Sequence, residues 1–146
     1  MLVRTGNAVW EGNLKEGKGT VALGTGAFKG PYSFTSRFEN GAGTNPEELI
    51  AAAHAGCFSM AFSNGLDQAG HTPRRVATTA KVQMEKGDAG FSITQVELNV
   101  EAEVPGIDEA KFIELAKKAK EGCPVSRALA AVKITLNAKL LATAKA

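Results

Sequence analysis

What this sequence lacks narrows its reading first. Lys and Arg number 17 against 15 for Asp and Glu, a formal charge of +2. No one-signed field draws the chain to nucleic acid or to a membrane surface. Residues 1–11 hold one basic residue, Arg4, and no long apolar run. Neither a secretory signal nor a transit peptide is expected there, and the expected location is the cytoplasm. The longest uncharged stretch, Leu49 to Leu66, contains His54, Ser59, Ser63 and Asn64. A bilayer crossing needs about 20 mostly apolar residues, so this stretch reads as a buried helix instead. Internal repeats and linker composition are absent, and 146 residues with 44% apolar content suit a single domain over 1–146.

Cysteine is scarce as well, with only Cys57 and Cys123. In a chain without an export signal such a pair is catalytic, redox-sensing or merely packed rather than a structural staple, because the cytosol keeps most thiols reduced. Their wide separation excludes a C-x-x-C redox motif and a knuckle-type zinc site. With His54, His71 and carboxylates as the other available ligands, no closed structural metal site can be built. Gly12 to Lys18 opens like a phosphate-binding loop, but Gly19 stands where the metal-holding Ser or Thr belongs, and the strand-like Thr20 to Leu23 follows. The helix N-terminus that would receive phosphate is missing, so this segment reads as a hairpin turn and no cofactor is expected.

The first third alternates polar and apolar residues between glycines, which predicts strands at Ala8–Glu11, Thr20–Leu23 and Tyr32–Phe38. At Thr44-Asn45-Pro46-Glu47-Glu48, Asn45 can cap, Pro46 suits the first helical position, and Glu48 completes a capping-box pattern. A helix is predicted from Asn45 to about Asn64, ended by Gly65 or Gly70. It is apolar all round, so neighbours should cover every side, and its small residues Ala51, Ala52, Ala53, Ala55 and Gly56 invite a second central helix. Val76 to Met84 and Phe91 to Val104 alternate as two strands around the turn Gly87-Asp88-Ala89-Gly90. Val96, Leu98, Val100, Ala102 and Val104 share one face of the second. Asp108 caps a helix over Glu109 to Lys120, Cys123-Pro124 opens a short helix to about Val132, and Ile134 to Leu140 forms a closing strand. The order βββ-α-ββ-α-α-β repeats no βαβ unit, so the expected class is α+β with mostly antiparallel sheets.

Four residues are candidates for chemistry. Cys57, in the middle of the apolar helix, reads by itself as a small buried hydrophobe. Cys123, at a helix N-terminus, is better placed to be a thiolate or a disulfide partner. A reactive thiol needs a fixed cation, and Arg37 can be one because it stays protonated; it can equally be an exposed strand residue in a cross-strand charge pair. Glu47 could orient that arginine through a bidentate pair or simply complement the helix dipole. Glu47 and Cys57 lie about 15 Å apart along one helix, too far to share a reacting oxygen. If both serve one site, they come from different copies, which predicts an obligate homodimer with two interfacial sites. His54, three residues before Cys57, could form a Cys-His dyad of the hydrolase kind, but a hydrogen-bonded core histidine is preferred.

The strings Thr35-Ser36-Arg37-Phe38-Glu39, Gly43-Thr44-Asn45-Pro46-Glu47-Glu48-Leu49, Ala53-His54-Ala55-Gly56-Cys57-Phe58-Ser59-Met60 and Gly122-Cys123-Pro124-Val125-Ser126 together resemble the OsmC family, osmotically inducible protein C and its organic hydroperoxide resistance relatives. The resemblance spans nearly the whole chain. It implies an intertwined homodimer in which sheets wrap paired central helices, and a peroxidase of alkyl and aryl hydroperoxides. In that pattern Cys57 matches the peroxidatic cysteine, Cys123 the resolving cysteine, Arg37 the activating arginine and Glu47 the carboxylate that holds it. A dithiol reductant of the lipoyl type is implied, and an apolar pocket formed by Phe38, Phe58, Met60 and Phe62 is expected to favour a greasy substrate over hydrogen peroxide. A non-enzymatic redox sensor or binding protein built on the same two cysteines is the alternative.

Overall fold

The computed structural model describes residues 1–142. Its elements are β1 (Gly6–Glu11), β2 (Lys18–Leu23), β3 (Lys29–Tyr32), α1 (Phe34–Phe38), α2 (Pro46–Gln68), β4 (Arg75–Gly87), β5 (Gly90–Glu103), α3 (Glu109–Gly122), α4 (Pro124–Ala128) and β6 (Lys133–Leu140). This is the expected α+β order with one short helix, α1, added after β3. Contacts divide the chain into two units, Met1–Leu49 and the remainder from Ile50 onward.

In the first unit β1, β2 and β3 form an antiparallel sheet in chain order. The phosphate-loop look-alike is the β1–β2 hairpin turn, closed by the Gly17 N–H donating to the Asn13 carbonyl at 2.9 Å. The third strand ends at Tyr32, and residues 34–38 are helical, not extended as predicted. The sequence period is ambiguous there. Phe34, Ser36 and Phe38 alternate as a strand face would, but residues four apart also stack on a helix. Two hydrogen bonds settle the choice: the Ser36 N–H donates to Ser33 Oγ at 3.2 Å and the Ser33 N–H to Ser36 Oγ at 2.8 Å. They form a capping box with serine in place of the usual glutamate. The Phe34 and Phe38 rings then sit 5.0 Å apart.

α2 starts where predicted. Asn45 Oδ1 accepts from the Glu48 N–H at 2.7 Å, but the Glu48 carboxylate takes the Thr44 hydroxyl at 2.8 Å and does not complete a box. The helix continues through Gly65 and stops near Gly70, whose φ of 87° suits glycine. By length and composition α2 could cross a membrane, alone among the described residues. One stripe of it, His54, Phe58, Phe62 and Leu66, is fully buried. The opposite side is open in the single chain, with Met60 77% exposed, so the expectation of cover on every side holds for that stripe alone.

The second unit is built on β4, β5 and β6. β4 and β5 pair antiparallel through the expected turn, whereas β6 lies parallel to β5. A parallel neighbour needs a long crossover, which α3 and α4 supply. The inward residues of β5, Val96, Leu98, Val100 and Ala102, and Val104 just after it, are at most 2% exposed and share a core with Phe58, Phe62, Leu66, Phe112, Leu115 and Ala116. Asp108 caps α3 by accepting the Lys111 N–H at 2.8 Å. Leu98→Ala should therefore cost about 2–5 kcal/mol in urea unfolding, whereas Glu101→Ala on the outer face should stay within about 0.5 kcal/mol. Equal small effects would mean that β5 does not divide core from solvent in this way.

Candidate active site

Arg37 owes its place to the local chemistry of α1. Ser36 Oγ donates to the Thr44 carbonyl at 2.7 Å and Asn45 Nδ2 to the Ser36 carbonyl at 3.1 Å, so α1 is tied to the first turn of α2. Gly43 between them has a φ of 116°, and a Cβ there would lie 2.8 Å from the Pro31 carbonyl oxygen. Only glycine fits that approach without strain. The result brings Arg37 and Glu47 together: Arg37 Nη2 donates to Glu47 Oε1 at 2.8 Å, and Nε contacts both carboxylate oxygens at 3.2 and 3.3 Å. The carboxylate side chain is 11% exposed and the guanidinium side chain 36%. Two donors fix the orientation of the fork as well as its position.

Beside this pair lies a pocket of about 180 Å³ lined by Trp10, Leu14, Tyr32, Phe34, Arg37 and Phe38. The guanidinium carbon stands 5.1 Å from the centre of the Phe38 ring, within cation–π range. The expected lining needs correction. Phe58 and Phe62 are wholly buried in the core of the second unit, because their four-residue spacing puts both on the buried stripe of α2, so neither can contact a ligand.

In the second unit α2 and the α3–α4 junction bring the two cysteines together. The Cys123 N–H closes the last turn of α3 on the Ala119 carbonyl at 2.9 Å, while the Cys123 carbonyl accepts from the Arg127 N–H of α4 at 3.0 Å. Pro124 begins α4, where its missing N–H costs nothing. Both cysteines are free, and Cys123 Sγ donates to Cys57 Sγ at 3.0 Å. Cys57 keeps partial exposure, whereas Cys123 has none.

Burial raises the Cys57 pKa above the ordinary thiol value, reinforced by the hydrogen bond and charge of Cys123 and opposed by the Val125 N–H. Burial would raise Cys123 too. There the hydrogen bond with Cys57, the N–H and hydroxyl of Ser126 and the Val125 N–H outweigh it, and the pKa falls below the ordinary value. When the pair loses one proton, the remaining one settles on Cys57.

His54 is also fully buried. Its Nε2 is 2.7 Å from Ser126 Oγ, and its Nδ1 has no hydrogen-bond partner. Its imidazole is thus engaged with Ser126 rather than paired with Cys57, and burial holds its pKa below the usual value. Ser126 is the residue that sequence reasoning left without a role. A signal existed, since Ser126 follows Cys123 at the same three-residue spacing by which His54 precedes Cys57. Trp10 and Tyr32 were also missed, because nothing local links them to Arg37. No group of three or more His, Cys, Asp or Glu among the described residues could hold a metal ion.

The family model described as OsmC-like protein matches residues 39–137, a span that includes Glu47 and both cysteines. The chain belongs to the OsmC-like protein family. It is 54% identical over 138 residues to peroxiredoxin OsmC of Escherichia coli K12, covering 94% of this chain and 96% of that one. The organic hydroperoxide resistance protein of Xanthomonas axonopodis pv. citri is 39% identical over 89 residues, which are 60% of this chain and 61% of that protein. Among solved structures, an organic hydroperoxide resistance protein OsmC from Legionella pneumophila superposes with a TM-score of 0.73 at 25% identity, covering 95% of this chain and 99% of that one.

Two measurements check this geometry. A double-mutant cycle on Arg37→Gln and Glu47→Gln should give a coupling of about 1–3 kcal/mol in unfolding, as for hydrogen bonds to charged groups, and a value near zero would deny the bidentate pair. The lowered His54 pKa sets a sign for acid sensitivity. Below about pH 6.5 the unfolded chain binds a proton on this histidine that the folded chain resists, so stability falls as pH drops through that value. His54→Gln should flatten this part of the profile, and an unchanged slope would show that His54 does not titrate on unfolding.

Proposed function

We propose that this chain is a two-cysteine peroxidase that reduces organic hydroperoxides to alcohols. The observation that carries the reading is the sulfur pair, 3.0 Å apart, with one sulfur partly accessible and the other sealed. Access decides the order of attack even though Cys123 is the more acidic. A hydroperoxide can reach Cys57 but not Cys123. The Cys57 thiolate attacks the terminal peroxide oxygen, the O–O bond breaks, and the alkoxide takes a proton and leaves as the alcohol. Cys57 is now a sulfenic acid. Attack by Cys123 forms the disulfide and releases water, and an external dithiol of the lipoyl class returns both thiols.

Activation of Cys57 calls for a cation, which Arg37 supplies while Glu47 orients it. Two copies packed with their α2 helices antiparallel would let the Arg37–Glu47 pair of one serve the Cys57 of the other. The open small-residue side of α2 supports that homodimer, and the aromatic pocket beside Arg37 suits the carbon group of an alkyl or aryl hydroperoxide. The family match runs through both units, which supports one functional domain over 1–146. A thiol-reducing compartment such as the cytoplasm fits the regeneration step. The names of the relatives, a peroxiredoxin and organic hydroperoxide resistance proteins, support the substrate class.

The test is consumption of an aryl hydroperoxide with excess dithiol over many turnovers. Wild type should cycle, Cys57→Ser should be inactive, and Cys123→Ser should lose recycling. Consumption of at most one equivalent by wild type would replace the peroxidase with a redox sensor.

A further inference from the structure

Two contacts join α2 to α4, and they have the same spacing. His54 precedes Cys57 by three residues on α2, and Ser126 follows Cys123 by three on α4. Three residues make nearly one helical turn, so His54 and Cys57 share one face of α2, while Cys123 caps α4 and Ser126 lies in its first turn. The sulfurs meet at 3.0 Å and, one turn away, His54 Nε2 meets Ser126 Oγ at 2.7 Å. The second contact lies in the interior, with His54 0% and Ser126 5% exposed. The peroxidase mechanism assigns it no task, and a buried imidazole with one unpartnered nitrogen is a costly way to fill a core.

The unpartnered Nδ1 indicates the tautomer. A buried N–H without an acceptor is rarer than an under-used acceptor, so the proton belongs on Nε2 and Nδ1 is bare. His54 Nε2–H then donates to Ser126 Oγ. The contact thus ties α4, which begins one residue after Cys123, to α2 one turn from Cys57.

We propose that His54 and Ser126 are positioning residues for the resolving step: their hydrogen bond docks α4 on α2 and so holds the Cys123 sulfur against the Cys57 sulfenic acid that it attacks. The step balances without another reagent. Cys123 gives up its proton, its sulfur bonds to the Cys57 sulfur, and hydroxide leaves Cys57 to join that proton as water. The Cys123 sulfur is oxidised by one electron equivalent and the Cys57 sulfur of the sulfenic acid is reduced by one; the oxidant is the organic hydroperoxide consumed before. This inference rests on the two-cysteine peroxidase reading and adds a division of labour within it. Arg37 and Glu47 serve the attack on peroxide, and His54 and Ser126 serve its resolution.

The experiment follows one pulse of an aryl hydroperoxide in stopped flow, recording peroxide loss and Cys57–Cys123 disulfide formation separately. Ser126→Ala should slow disulfide formation about tenfold relative to its own peroxide loss, the scale of one lost buried hydrogen bond. His54→Leu should behave alike, and His54→Gln, whose amide N–H can stand near Nε2, should restore most of the rate. Equal slowing of both steps in Ser126→Ala, or none in either, overturns the proposal. Ser126→Ala removes one buried oxygen and should fold, so the test does not depend on the harsher histidine variants. Wild type that loses peroxide without forming the disulfide overturns the peroxidase reading itself, a result distinct from any difference among variants.

Discussion

The burial of one α2 stripe in the core shared with β5 is the constraint on which the second unit depends. His54, Phe58, Phe62 and Leu66 recur every four residues, and all four have no exposed surface. Each buried phenylalanine or leucine contributes about 1.5–3 kcal/mol relative to exposure, so slipping the helix by one residue would forfeit several of these at once. The Phe62 and Phe112 rings, 5.2 Å apart, extend the same contact to α3. This locking fixes the azimuth of α2, and the azimuth decides what Cys57 can do. One residue before Phe58, Cys57 is carried to the edge of the stripe, where its sulfur meets Cys123 but keeps partial access to solvent. A cysteine at position 58 or 62 would have been sealed.

Acidity and access are divided between the two sulfurs. Cys123 has the stabilised thiolate and no exposure; Cys57 has exposure and a raised pKa. A peroxide needs access first, whereas the sulfenic acid that it leaves is already beside Cys123 and needs only a nucleophile. On the proposed mechanism, the fold gives Cys57 the access and Cys123 the acidity that their steps use, and leaves activation of Cys57 to a cation. A sealed, acidic resolving thiol is also shielded from direct oxidation, so the accessible sulfur is oxidised first and the order of events follows from burial.

Much of this was legible in the sequence because the relevant physics is local. The strict alternation along β5 could have one meaning on a half-buried strand, and Asp108, Asn45 and Pro46 mark helix starts by hydrogen bonds to residues within one turn. Ambiguity began where two periods coincide. Phe34, Ser36 and Phe38 satisfy both a strand and a helix, and Ser33 with Ser36 decided for the helix by a capping box that a search for glutamate overlooks. The parallel pairing of β6 depends on how far α3 and α4 carry the chain, which no local pattern encodes. Phe58 and Phe62 were expected to line an apolar pocket, but helical spacing turns them inward. Four residues in the candidate site were singled out from their strings, while Ser126 stood in one of those strings unremarked. Its partner His54 is 72 residues away, and the contact exists only once α4 is docked.

A magnitude shows what the proposed mechanism asks of Arg37. An ordinary thiol has a pKa of about 8.5, and burial moves Cys57 upward from there. Making its thiolate the main form at neutral pH therefore requires more than about 2 kcal/mol of differential stabilisation, at 1.36 kcal/mol per unit. A unit positive charge at about 4 Å gives about 4 kcal/mol at the effective dielectric of a protein surface. One guanidinium thus supplies a contribution of the required order, provided that it is held near and not swung into water. A lysine would give the same charge without the fork that Glu47 grips, and its flexible stem would let the ammonium seek solvent. The bidentate pair offsets some of the arginine's charge, and burial raises the requirement above its lower bound, so the guanidinium must stand close to the sulfur for the balance to hold. On the proposed mechanism, Glu47 contributes orientation rather than additional charge.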